Sequence, residues 1–111
     1  MRSYLIEEIN PSDMDRIIDR LNFICLEKPL QDLFWLTVPE EVLTPEQKEH
    51  LESCGPFHLA LESGKDFLKL ELLVRCRSKI RCSCITYATR QQREHMIQYL
   101  DDMLKNLDIS I

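Results

Sequence analysis

The chain has 111 residues, 44% of them hydrophobic and 30% charged. That balance excludes a disordered or low-complexity protein and fits one domain over residues 1–111. Two glycines and five prolines exclude collagen-like and linker-like chains, and no apolar run approaches the ~18 residues that a membrane span needs. The net charge of −5 disfavours polyanion binding by the molecule as a whole, nucleic acid included.

The charge is unevenly spread. Residues 1–66 carry six Lys/Arg against fourteen Asp/Glu, whereas residues 67–111 carry eight against five. Different surfaces are therefore expected to face different partners. The start of the chain, Met1 to Glu8, turns acidic after three apolar residues, where a secretory signal needs ~7–15. The expectation is a cytoplasmic protein whose cysteines (Cys25, Cys54, Cys76, Cys82, Cys84) stay reduced. Five is also an odd number, which forbids complete internal pairing.

In chain order, Ser3–Ile9 reads as a short strand. Asn10-Pro11-Ser12-Asp13 then opens a helix, with a capping side chain, a proline at the first helical position and a carboxylate in the first turn. Ile9 and Met14 flank the cap as a hydrophobic staple. Met14, Ile17, Ile18, Leu21, Ile24 and Cys25 follow at helical spacing, and Pro29 is expected to end the helix. Leu33–Val38 reads as a second strand. Its continuous apolar run, Leu33 to Leu36, suits a buried strand, with Trp35 as a partner-facing anchor the alternative. Thr44-Pro45-Glu46-Gln47 is a capping box, and Gly55-Pro56 closes a short helix. The apolar stripe of that helix, Leu51 and Cys54, is thin enough to predict a surface position.

Phe57–Glu62, Phe67–Arg77 and Arg81–Ala88 alternate as strands do, separated by turns at Ser63–Asp66 and Ser78-Lys79. Thr89-Arg90-Gln91-Gln92 is another capping box. It opens a helix with a clear stripe of Met96, Ile97, Leu100, Met103, Leu104 and Leu107. The predicted fold is α+β, an antiparallel sheet in the order β-α-β-α-β-β-β-α with amphipathic helices packed mainly on one face. The pattern leaves open where the first two strands join the sheet.

A four-residue first turn puts Leu61 opposite Leu68, Leu59 opposite Leu70 and Phe57 opposite Leu72, a wholly apolar inner face. A three-residue second turn puts Cys76 opposite Cys82, Val74 opposite Cys84 and Leu73 opposite Ile85. The reverse face then carries His58, Lys69, Glu71, Leu73, Arg75, Arg77, Arg81, Ser83, Ile85 and Tyr87. It is more apolar in its middle than a solvated face requires. At one end Arg75, Arg77, Lys79 and Arg81 form a tip with no intervening carboxylate.

This arrangement predicts a non-catalytic module that binds a protein partner, or a second copy of itself. Leu73, Arg75, Arg77, Lys79, Arg81, Ile85 and Tyr87 would form the docking surface. The alternative is a thiolate metal-binding or redox protein using Cys76, Cys82 and Cys84. The fourth ligand would come from Cys54 or His50, which lie four apart on one side of the second helix. Structural zinc usually sits on C-x₂₋₄-C knuckles at turns, and a strand-borne Cys-x-Cys offers none. The thiols are therefore expected to fill space beneath the last helix, with no metal or other cofactor required. His58 beside Glu71 is the residual acid–base pair. With no nucleophile and no glycine-rich phosphate loop, the pattern leans away from an enzyme.

Overall fold

The computed structural model describes residues 2–25 and 30–110. In chain order the elements are β1 (Ser3–Ile6), α1 (Pro11–Ile24), β2 (Leu33–Thr37), a 3₁₀ turn (Glu40–Val42), α2 (Pro45–Glu49), α3 (Leu51–Cys54), β3 (Phe57–Ser63), β4 (Leu68–Glu71), β5 (Leu73–Cys76), β6 (Thr86–Tyr87) and α4 (Arg90–Asn106). The fold is α+β around an antiparallel six-stranded sheet. No described helix is long and apolar enough to cross a membrane.

The helix boundaries follow from their caps. The Asn10 side chain accepts from the Asp13 N–H at 2.9 Å, with Pro11 opening α1. Pro29 lies outside the described residues; α1 stops at Ile24, and the Cys25 N–H donates to Leu21 O. Thr44/Gln47 and Thr89/Gln92 both form complete reciprocal capping boxes. At the far end of α4, Asp108 takes the left-handed conformation (φ 59°). The Ile109 N–H then reaches Leu104 O and the Asp108 N–H reaches Lys105 O. This is a Schellman cap, with buried Ile109 and Leu104 as its apolar contact.

The sheet is centred on β3. One edge pairs with β2, from Leu33↔Glu62 to Thr37↔His58. The other edge pairs with both β4 and β5. The sequence reads residues 67–77 as one strand, but a bulge divides it. Leu61 lies opposite Leu70 and Phe57 opposite Cys76, so four steps of β3 face six of its neighbour. The surplus is absorbed around Leu72. The Leu72 N–H donates to Arg2 O and its C=O accepts from the Ala88 N–H, so the outer edge passes at this residue from β1 to β6.

Both predicted hairpin registers are off by two residues. Leu61 opposes Leu70 rather than Leu68, and Leu73 opposes Tyr87 rather than Ile85. Because side chains alternate with a period of two, an even slip keeps the residues that are in strands on their predicted faces. The first slip arises because the turn is Gly64–Phe67, closed by the Gly64 N–H on Phe67 O. The predicted strand Arg81–Ala88 is real only at Thr86–Tyr87.

The inner face joins Ile6, Phe34, Leu36, Phe57, Leu59, Leu61, Leu68, Leu70, Leu72 and Val74 into one cluster with Met14, Ile17 and Leu21 of α1 and Met96, Leu100 and Leu104 of α4. Both long helices therefore lie on the same side of the sheet. Arg16 on α1 donates to Leu107 O beyond α4, and the Tyr4 hydroxyl donates to Asp101 at 2.7 Å. The reverse face keeps Leu5, Trp35, Lys69, Leu73 and Tyr87 partly or fully in contact with water.

Candidate metal centre

The short helix predicted near residues 45–55 is two helices, broken at His50. This residue is both the C-cap of α2 and the N-cap of α3, with φ −90° and ψ 0°. The break is tight because the Ser53 and Cys54 N–H groups both donate to His50 O. It leaves the His50 ring and the Cys54 thiol on one side of the α2–α3 unit. Across from them, residues 77–85 form a loop rather than a strand. Its end is a turn closed by the Ile85 N–H on Cys82 O at 3.1 Å.

That turn carries Cys82 and Cys84, and the four donor atoms of His50, Cys54, Cys82 and Cys84 all lie within 4.8 Å of one another. His50 Nδ1 is 3.2 Å from Cys82 Sγ and 3.8 Å from Cys54 Sγ, and the Cys54 and Cys82 sulfurs are 3.7 Å apart. With Zn–S near 2.3 Å and Zn–N near 2.0 Å, tetrahedral zinc sets about 3.8 Å between two sulfurs and about 3.5 Å between nitrogen and sulfur. The three spacings among His50, Cys54 and Cys82 therefore lie near the edges of one coordination sphere, with Cys84 within 4.8 Å of each. Cys54 and Cys84 are buried, and His50 and Cys82 are half-buried.

The electrostatics of the cluster favour shared ionisation. The backbone and side chain of Cys84 hydrogen-bond to Cys82, and with Cys54 and His50 they bring its thiol down to about 6. Burial opposes ionisation of Cys54, but hydrogen bonds from His50 and Ser53 outweigh it and lower its pKa. Burial, followed by hydrogen bonds to Cys82 and Cys54, pushes Cys84 well above the ordinary thiol range. Hydrogen bonds to Cys54 and then Cys82 raise His50 above the ordinary imidazole value. A divalent cation would take the place of the proton that this cluster otherwise shares.

A buried amide relay holds the cysteine turn from behind. Gln47 Nε2 donates to Cys84 O at 3.1 Å, and Gln92 Nε2 donates to Gln47 Oε1 at 2.8 Å. Each glutamine oxygen also accepts the N–H of its own capping threonine at 3.0 Å. Both side chains are almost wholly buried. The two capping boxes are thus linked to each other and to the turn. Their Thr-x-x-Gln pattern marks helix starts, but carries no sign that the amides meet.

The choice of Cys76 as a sulfur donor beside Cys82 and Cys84 meets a different geometry. Cys76 Sγ turns to Lys79 O at 3.2 Å, so it stands outside the cluster. His50 and Cys54, offered by the sequence as alternative fourth donors, are both present. The missing signal was the turn: with Cys82-Ser83-Cys84 at a chain reversal, the sulfurs converge instead of pointing at a helix.

The predicted docking residues are only partly brought together. Arg75, Arg77, Lys79 and Ile85 line a depression of about 270 Å³ with Trp35 and His58. Leu73 and Tyr87 pair on the adjoining strands, and the Arg2 guanidinium lies over the Tyr87 ring at 4.4 Å. Arg75 is bound to Glu71 at 3.0 Å. Arg77, Lys79 and Arg81 are exposed on the loop around Ile80, which is 94% exposed.

His58 does not form an acid–base pair with Glu71. It stacks on Trp35 with ring centroids 4.0 Å apart and lies opposite Arg75. Burial, then the charges of Arg75 and Arg77, lowers its pKa to about 4. A neutral, stacked imidazole facing cations is a packing element. Comparison with protein-family models, curated proteins and solved structures finds no match to this chain.

Proposed function

We propose that this protein is a zinc-binding domain with a structural Cys₃His centre formed by His50, Cys54, Cys82 and Cys84. The observation that carries the reading is the convergence of four soft donors, from segments about thirty residues apart, within 4.8 Å of one another, with His50, Cys54 and Cys82 close to tetrahedral spacings. Three sulfurs and one imidazole suit zinc over magnesium or calcium, which prefer oxygen. Four protein ligands also close the sphere, leaving no position for a substrate. The role is therefore cross-linking the α2–α3 unit to the 77–85 loop, in a reducing compartment such as the cytoplasm.

Metal analysis of protein expressed in zinc-supplemented medium should find one equivalent per chain. Cobalt exchange should give intense thiolate charge-transfer and tetrahedral d–d absorption. A native mass equal to the bare chain, with five freely titrating thiols after mild unfolding, would overturn the reading.

A second reading is the interaction module expected from the sequence, with a protein partner or a second copy as its occupant. It is supported by the accessible Tyr87 and the half-buried Leu73 on the sheet face opposite α1 and α4, and by the exposed cationic loop beside Trp35 and His58. Light scattering after size exclusion tests the self-association version. A concentration-dependent dimer abolished by Leu73→Glu supports it, and an unchanging monomer removes it.

A further inference from the structure

We propose that Cys54 and Cys82 form a peroxide-responsive dithiol, which hydrogen peroxide closes into a disulfide that expels the metal and replaces it as the cross-link. The metal-release step rests on the zinc reading; the disulfide rests on the sulfur geometry alone.

The five cysteines are not equivalent. Cys25 is buried with its thiol on Trp35 O, and Cys76 is buried with its thiol on Lys79 O. Cys54 and Cys84 are also buried, so Cys82 is the one that solvent reaches most readily. Its sulfur is 3.7 Å from that of Cys54. A disulfide needs ~2.05 Å between sulfurs, a closure of under 2 Å that side-chain rotation on a loop can supply. Cys84, by contrast, sits on the same short turn as Cys82, two residues away, where a bridge would have to close a strained ring.

The chemistry balances in two steps. The Cys82 thiolate attacks one peroxide oxygen; an S–O bond forms, the O–O bond breaks, and hydroxide leaves to be protonated by solvent. The Cys54 thiolate then attacks the Cys82 sulfur; an S–S bond forms, the S–O bond breaks, and a second hydroxide leaves. Two thiolates have given two electrons to the peroxide. The products are one disulfide and two waters, and a zinc ion held at the site would be left with only His50 and Cys84 of its four ligands.

The new bond joins the C-terminus of α3 to the start of the cysteine turn, the same two segments that the metal joins. Oxidation is therefore expected to change what reaches solvent (free zinc, a lost thiolate pair) while preserving the fold around it. Thiol-based reductants would return the site to its metal-binding form.

The test uses the intact chain, with metal content measured first. One equivalent of hydrogen peroxide added to loaded protein should release about one equivalent of zinc to a chromogenic chelator. Peptide mapping should find a Cys54–Cys82 disulfide, in wild type and in Cys84→Ser alike. Oxidised metal-free protein should melt at least ~5 °C above reduced metal-free protein. Formation of that disulfide in a chain that never carried metal would uphold the dithiol while removing the zinc reading. Loaded protein whose thiols survive peroxide, or whose disulfide uses Cys76 or Cys84, overturns the proposal. So does an oxidised chain that melts no higher than the reduced one.

Discussion

The two ends of this molecule are held by different forces. Around α4 and the inner sheet face, Leu59, Leu61, Leu68, Leu70, Leu100 and Leu104 are fully buried in a continuous apolar cluster. The 77–85 loop has no strand pairing. Its polar anchors include Arg77 N–H on Pro56 O, Ser78 N–H on Cys54 O, the Gln47–Cys84 bond and the His50–cysteine cluster. Each of these four leads to residues 47–56. Apolar burial is non-directional and tolerates adjustment, whereas polar anchoring depends on a few distances. A cross-link contributes most where burial contributes least.

The largest effect should come from the apolar end. Leu100→Ala removes a fully buried side chain and should cost about 3–4 kcal/mol in urea denaturation. The loss should be equal with and without metal, and a metal-dependent loss would show that the two ends are energetically fused. Next comes His58, whose folded pKa of about 4 lies below the ordinary imidazole value of 6.5. Between those values the unfolded chain binds more protons. Stability should therefore fall as pH drops from about 6.5 and level off near 4, by about 2 kcal/mol after allowing for solvent screening of the exposed Arg75 and Arg77 charges. His58→Phe, which retains a ring against Trp35, should flatten that component of the profile.

Gln47→Met tests the relay at the other end. It keeps the side-chain length but removes the bond to Cys84 O, and should weaken metal affinity by ~10-fold or more in competition titration. Equal affinity would mean that the turn is set by the metal alone. The smallest effect belongs to the Arg75–Glu71 pair, both partners being partly exposed. Arg75→Ala should change stability by under ~1 kcal/mol, with the remainder coming from lost packing beside Trp35.

The contrast also explains what the sequence revealed. Helix starts at Asn10, Thr44 and Thr89 were legible because capping is local chemistry. The inner face was legible because alternation survives an even slip in register. The division at Leu72 was not: it depends on Arg2 and Ala88 meeting the same backbone from distant parts of the chain. His50 and Cys54 could be paired by their spacing, and Cys82 with Cys84 by theirs. That the pairs meet, and that Cys76 turns away, depends on residues 81–85 forming a turn despite their strand-like pattern. The Gln47–Gln92 contact joins residues 45 apart, beyond the reach of any local pattern.

The handover at Leu72 bears on the order of assembly. β1 pairs with β4 from Ser3↔Glu71 to Ile6↔Leu68, so a ribosome delivers one partner some sixty residues before the other. At ~5–20 residues per second, that is an interval of several seconds in which β1 has no native neighbour. The β3–β4 hairpin, by contrast, completes within a dozen residues of synthesis and needs little loop closure. A nascent chain should thus nucleate in its middle and recruit its beginning late, making residues 3–6 a natural landing place for a chaperone.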